Sequence, residues 1–166
     1  MTIHIIEGPV GAGKTTYANK LGKEIGVVPL VLDVWMVTLF QADRPQINPW
    51  AWYSERKARC VSQILALAQS AVDLGIDAIV ELGLIKLEDR QKVYGKLDAE
   101  KCDYVVHVLQ ATREERRRRV RERNAVRGET FAMEVSEEVF EIASDMWEPI
   151  KPAEQVGCRG RFVFVT

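Results

Sequence analysis

Five short apolar runs punctuate the chain, and stretches of helical periodicity lie between them. Thr2–Glu7 (TIHIIE) is β-branched and reads as a strand, followed by a glycine-rich turn from Gly8 to Gly13. Lys14–Ile25 places Ala18, Leu21 and Ile25 at helical spacing. Val27–Leu32 is apolar on both sides, as a buried parallel strand should be. Met36, Val37, Leu39 and Phe40 suit a short helix, broken by Asp43-Arg44-Pro45 and Asn48-Pro49. A long helix is expected over Tyr53–Leu74, with Val61, Ile64 or Leu65, Ala68 and Val72 as its buried stripe and Gly75 beyond its end. Asp77–Leu82 and Tyr104–Leu109 read as strands, with a helix over Leu87–Ala99 between them. Thr112-x-x-Glu115 is a capping box that opens a helix to about Val126. Ser136 caps another, whose apolar side would hold Val139, Phe140, Ala143 and Trp147 before Pro149 and Pro152 end it. Arg161–Val165 is the last strand.

Strands alternating with helices imply an α/β fold, a parallel sheet with helices on both faces. In such sheets ligands bind beyond the carboxyl ends of the strands. Gly8–Lys14, Asp33, Glu81–Gly83 and Gln110–Arg113 all follow strand ends, so one crevice should gather them.

The turn carries the chemistry. Gly8-Pro9-Val10-Gly11-Ala12-Gly13-Lys14-Thr15 matches G-x-x-x-x-G-K-[ST] in full, with Thr16 next inside the helix. Glycines let the backbone turn its N–H groups inward onto phosphate oxygens, and the helix N-terminus adds its positive dipole end. Lys14 can reach the β and γ phosphates, and the Thr15 hydroxyl can ligate Mg²⁺. With its strand before and helix after, GPVGAGKT resembles the P-loop kinases of small molecules. The likeness is to the ATP-binding group of zeta-toxin-like kinases, chloramphenicol phosphotransferase and the kinase domain of polynucleotide kinase. That resemblance implies a three-layer P-loop NTPase fold with a five-stranded sheet in the order 2-3-1-4-5. It also implies a helical, arginine-rich lid over about 112–135 and an acceptor-side region over about 34–59, all in one domain, 1–166. ATP and Mg²⁺ are the cofactors it implies.

Two carboxylates stand at strand ends. Asp33 follows the second strand, where it could take the proton of an attacking hydroxyl, and in the kinases that this sequence resembles an Asp there is the base. Its alternative is a helix cap or a surface turn. Glu81 lies inside the apolar run IVELGL and needs a partner, either a hydrated Mg²⁺ beside Thr15 or an internal salt bridge. The family more often has Asp at this place, so contact through water is expected. Glu7 is a weaker candidate for the same cluster.

Charge changes the picture locally. Lys+Arg is 23 and Asp+Glu is 24, a near balance that argues against a dedicated nucleic-acid binder. Yet eight arginines lie between Arg113 and Arg127. At about 100° per residue, Arg116, Arg119, Val120, Arg123 and Arg127 form one stripe. Guanidinium forks on such a stripe suit a transferring phosphoryl group. By register with the family's lid, Arg119 and Arg123 are the pair expected to close on it, with Arg116 a further candidate. Arg117, Arg118 and Arg121 read as a solvated face, and contact with RNA or DNA is the second alternative.

On the acceptor side stand Trp35, Phe40, Trp50, Trp52 and Tyr53, with Arg44 and Arg56 able to hold an anionic acceptor. Packing of an irregular cap explains these aromatics equally well. His4 and His107, inside strands, read as core histidines. Cys60, Cys102 and Cys158 form no CxxC pair and read as free thiols of a reducing compartment, so the chain is expected in the cytoplasm, as a monomer or homodimer, without a membrane partner. The expected activity is transfer of the ATP γ-phosphate to a small-molecule hydroxyl. The alternatives are an ATP-hydrolysing switch without acceptor and a polynucleotide 5′-kinase or nucleic-acid-binding protein.

Overall fold

The computed structural model describes residues 1–128, 131 and 133–166. Its five strands are β1 (Ile3–Glu7), β2 (Leu30–Val31), β3 (Ala78–Glu81), β4 (Tyr104–Leu109) and β5 (Arg161–Val165). They pair in parallel in the order β2-β3-β1-β4-β5. This is the order that the family resemblance implies. The seven helices among the described residues are α1 (Lys14–Ile25), α2 (Leu32–Phe40), α3 (Pro49–Asp73), α4 (Leu87–Ala99), α5 (Arg113–Val126), α6 (Glu137–Asp145) and α7 (Pro152–Val156). None is long and apolar enough to cross a membrane.

Alternation along the strands separates two cores. Ile3 and Ile5 point to the face covered by α3 and α4, where Ile64, Ala68, Val93 and Leu97 pack. Ile6, Ile79 and Leu109 point to the other face, against Ala18 and Leu21 of α1. The three cysteines are free thiols.

Three elements differ from the sequence-based expectation, each for a local reason. The second strand shrinks from Val27–Leu32 to two residues, Leu30–Val31. Val27 still belongs to the end of α1, because its N–H donates to the Gly22 carbonyl and Gly26 sits at φ 73, and Pro29 has no N–H for a ladder. The chain then enters α2 at Leu32, so Asp33 lies in the first turn of a helix, where a carboxylate is favourable. The long helix opens at Pro49 rather than Tyr53, and Pro152 likewise opens α7 rather than closing α6. Proline fits the first helical turn because its missing N–H is an orphan there anyway. On α6 only Phe140 is buried; Val139 is exposed, and Trp147 lies beyond the helix, with the Arg90 guanidinium 5.2 Å from its ring.

That arginine is the main polar feature of the α4 side. Arg90 is fully buried and forms a fork onto Glu154 of α7, Nε–Oε1 2.6 Å and Nη2–Oε2 3.0 Å. It also donates to the carbonyls of Leu84 and Ile85. The pair ties the loop after β3 and the segment before β5 to α4. A buried charge stripped of its partner typically costs about 3–5 kcal/mol. We therefore expect Glu154→Gln to lower the urea-unfolding free energy by about 3 kcal/mol, with the double replacement Arg90→Met/Glu154→Leu recovering most of the loss.

Candidate functional site

The glycine loop leaves β1 and enters α1 at one end of the sheet. Gly8, Gly11 and Gly13 have φ of 148°, 77° and 94°, a conformation that L side chains rarely adopt. At Gly11 there is also no room. A Cβ there would lie 2.6 Å from the carbonyl oxygen of Arg116, because α5 packs directly on the loop. Lys14 Nζ bends back over the loop to the Pro9 carbonyl at 3.3 Å, and Thr16 is exposed.

Around this loop the strand ends bring their carboxylates. Thr15 Oγ donates to Glu81 Oε2 at 2.8 Å, and Lys14 Nζ lies 4.0 Å from Glu81 Oε1. Burial pushes the Glu81 carboxyl up; Lys14, the Thr15 hydrogen bond and Arg123 oppose this, while Asp33 adds to it. Arg123 reaches in from α5. Its Nε is buried and has no partner among the described residues, and burial pulls its guanidinium down against the attraction of Asp33 and Glu81. Asp33 itself is exposed at the start of α2.

The eight arginines of α5 and its cap divide by face. Arg116, nearly buried, donates to the Val10 carbonyl and to Ser144, each at 3.0 Å. Arg119 donates to the Ala12 carbonyl at 3.1 Å and pairs with Glu115 at 2.5 Å. On the outer face Arg113, Arg117, Arg121 and Arg127 pair with Glu141, Asp145, Glu137 and Glu134, and Arg118 pairs with Glu122. The solvated basic face expected there is thus a set of ion pairs, mostly to α6. An open groove beside Arg117, Arg121 and Glu137 has these neutralised side chains as its walls. Of the expected lid, 112–135, residues 129, 130 and 132 lie outside the described residues.

Comparison with known families fits this arrangement. A family model described as an AAA domain matches residues 3–150. The chain belongs to this AAA-domain family. Curated protein sequences give no match. Among solved structures, the chain is similar to a sugar kinase from Janibacter sp., with 15% identity, TM-score 0.63, and coverage of 99% of this chain and 84% of that one. It is similar to Chaetomium thermophilum Kti12, crystallised with ADP-AlF3, at 15% identity and TM-score 0.65, covering 98% and 88%. A gluconokinase from Sinorhizobium meliloti shares 14% identity at TM-score 0.56, covering 99% and 82%. At these identities the likeness is one of fold, that of P-loop NTPases.

In this AAA-domain protein the region expected to hold an acceptor, about 34–59, is partly packing. Phe40 and Trp52 meet edge to face at 6.5 Å, and the Arg56 guanidinium lies 4.5 Å from the Trp52 ring centre. Trp50 is exposed. Arg44 is exposed near Tyr53, whose hydroxyl is pushed up to about 12 by burial and by Asp33, with Arg44 opposing. Sequence reasoning missed Lys57, which donates to the Gly83 carbonyl at 3.1 Å at the end of β3. Its signal was present: Lys57 extends the Cys60–Ile64 stripe by one turn. His4 and His107 are hydrogen-bonded to each other at 2.9 Å and His107 to Tyr17 at 2.9 Å, on the α1 side. Burial, His4 and Arg161 push His107 down to about 4, as suits a neutral structural imidazole.

Glu7 joins the opposite face from Glu81. It is buried at the end of β1, its Oε1 has no partner among the described residues, and burial raises it to about 8, with Arg90 and Lys14 opposing. A carboxyl raised in the folded state stabilises the fold below its unfolded pKa, and that contribution is lost as pH rises through the folded value. Wild-type stability should therefore fall between pH 5 and 9 relative to Glu7→Gln, whose amide does not titrate. Thermal melts of both proteins across that range check the slope.

Proposed function

We propose that the chain is an ATP-dependent kinase that moves the γ-phosphoryl group onto a hydroxyl of a small molecule, with 1–166 acting as one unit. The observation that carries this reading is the convergence of Lys14, Thr15, Glu81 and Arg123 at the strand ends, with Asp33 close enough to act on both Glu81 and Arg123. The loop Gly8–Thr15, through its backbone N–H groups other than at Pro9, would hold the triphosphate, and Lys14 would leave the Pro9 carbonyl for its β and γ oxygens.

A divalent cation fits the donor set. The Thr15 hydroxyl and Glu81 carboxylate are hard oxygen ligands already paired at 2.8 Å, and a carboxyl raised by burial gains from a cation beside it. Thr15, directly, and Glu81, directly or through water, would hold Mg²⁺, which neutralises charge on the β and γ phosphates. The chain's own groups do the rest. Asp33 orients the acceptor hydroxyl and takes its proton as that oxygen bonds to the γ-phosphorus and the bond to ADP breaks. Arg119 and Arg123, from the lid helix α5, stabilise the charge on the transferring group. Arg44 and Arg56 would flank the acceptor.

A small acceptor is favoured over a polynucleotide by the pairing of the arginines. Arg113, Arg117, Arg118, Arg121 and Arg127 all have carboxylate partners, which leaves no continuous basic track for a phosphate backbone among the described residues.

Loss of a positioned general base typically lowers turnover about 10²–10⁴-fold. Asp33→Asn should reduce phosphoryl transfer by that order and leave ATP affinity, measured by calorimetry, unchanged. Undiminished transfer would remove Asp33 from this role. In Arg119→Ala we expect turnover to fall more than nucleotide affinity; equal losses would make Arg119 a plain binding residue.

A further inference from the structure

The buried stripe of α3 changes character at the strand ends. Ala68, Ile64 and Cys60 face the core and are buried. The next two positions on that face are Lys57 and Tyr53, three and seven residues before Cys60. Both are half-buried. The crevice beyond the carboxyl ends of β1 and β3 is therefore floored on this side by an ammonium and a phenol where apolar packing would otherwise continue.

The ammonium lacks a counter-charge. Among the described residues Lys57 makes no ion pair, and its one hydrogen bond is to the Gly83 carbonyl. Glu7, buried on the same side of the sheet, is held toward its neutral form by burial and so neutralises Lys57 poorly. Arg44 also makes no ion pair among the described residues and acts on the Tyr53 hydroxyl together with Asp33. The acidic neighbour on α3, Glu55, is taken up by Arg59 and Arg56. The contrast with α5 is direct: six arginines there have carboxylate partners, while the acceptor side keeps two cations without one. A half-buried cation without a partner is unfavourable unless an anion completes it.

We infer that Lys57, Tyr53 and Arg44 form a subsite for an anionic group, a phosphate or a carboxylate, carried by the phosphoryl acceptor. This rests on the kinase reading above. Asp33 stays with the acceptor hydroxyl, and the second anion sits by Tyr53 and Lys57, one helical turn apart on α3. The acceptor is then a hydroxy acid or a phosphomonoester with a free hydroxyl, rather than a neutral sugar or alcohol.

The test uses the full chain loaded with Mg²⁺ and a non-hydrolysable ATP analogue, so that the glycine loop is filled. Inorganic phosphate and acetate are then titrated separately at constant ionic strength and followed by calorimetry and tryptophan fluorescence. At least one should bind saturably, and which one binds distinguishes the two sources of the charge. A charge-assisted hydrogen bond is worth enough that binding should weaken about tenfold in Lys57→Gln and recover in Lys57→Arg. Arg44 is exposed, so Arg44→Gln gives an independent reading in an intact fold, and it too should weaken the anion. If the loaded protein binds neither anion, or binds it equally well in Lys57→Gln and Arg44→Gln, the subsite is wrong and the kinase reading stands. If the ATP analogue itself does not bind, the kinase reading fails and takes the subsite with it.

Discussion

Everything at the site depends on the close approach of α5 to the glycine loop. Gly11 makes it possible, since any side chain there would run into the Arg116 carbonyl. Once the helix is seated, Arg116 and Arg119 occupy the carbonyls of Val10 and Ala12. Those two carbonyls are thus held on the α5 side of the loop. The same seating delivers Arg123 to Asp33 and Glu81. One backbone contact thereby fixes the loop and brings a guanidinium to the strand ends.

Holding so many arginines on one helix requires a counter-charge, and α6 supplies it. Glu137, Glu141 and Asp145 grip the outer face of α5, while Phe140 lies under the guanidinium groups of Arg116 and Arg117. Inside the crevice the balance is left incomplete. Among the described residues Arg123 Nε has no acceptor and Lys57 has only a carbonyl, while Glu81 is raised by burial. Under the kinase reading proposed above, a polyanion with its cation would complete this pairing.

Much of this was legible in the sequence because local patterns carried it. β4, α4, α5 and β5 begin and end where the apolar runs, the capping box and the periodicity put them. The loop announced itself through Gly8–Thr15, and the strand-end rule brought Asp33 and Glu81 toward it. What was hidden depends on partners far along the chain. The brevity of β2 follows from Gly26 and Pro29 finishing α1 in a particular way. The arginine run looked like one basic surface, because the carboxylates of α6 that neutralise its outer face lie 16 to 32 residues away. Lys57 hid inside a helix that periodicity described only by its apolar members, and the Arg90–Glu154 pair spans 64 residues.

The central claim is that this crevice sends a phosphoryl group to an acceptor rather than to water. Following the label from γ-³²P-ATP in a single turnover, with and without a pool of hydroxy acids and phosphomonoesters, tests it most directly. The account predicts that the label appears on an organic hydroxyl, and faster when the pool is present. Label recovered only as inorganic phosphate, at a rate that no hydroxyl compound changes, would contradict it.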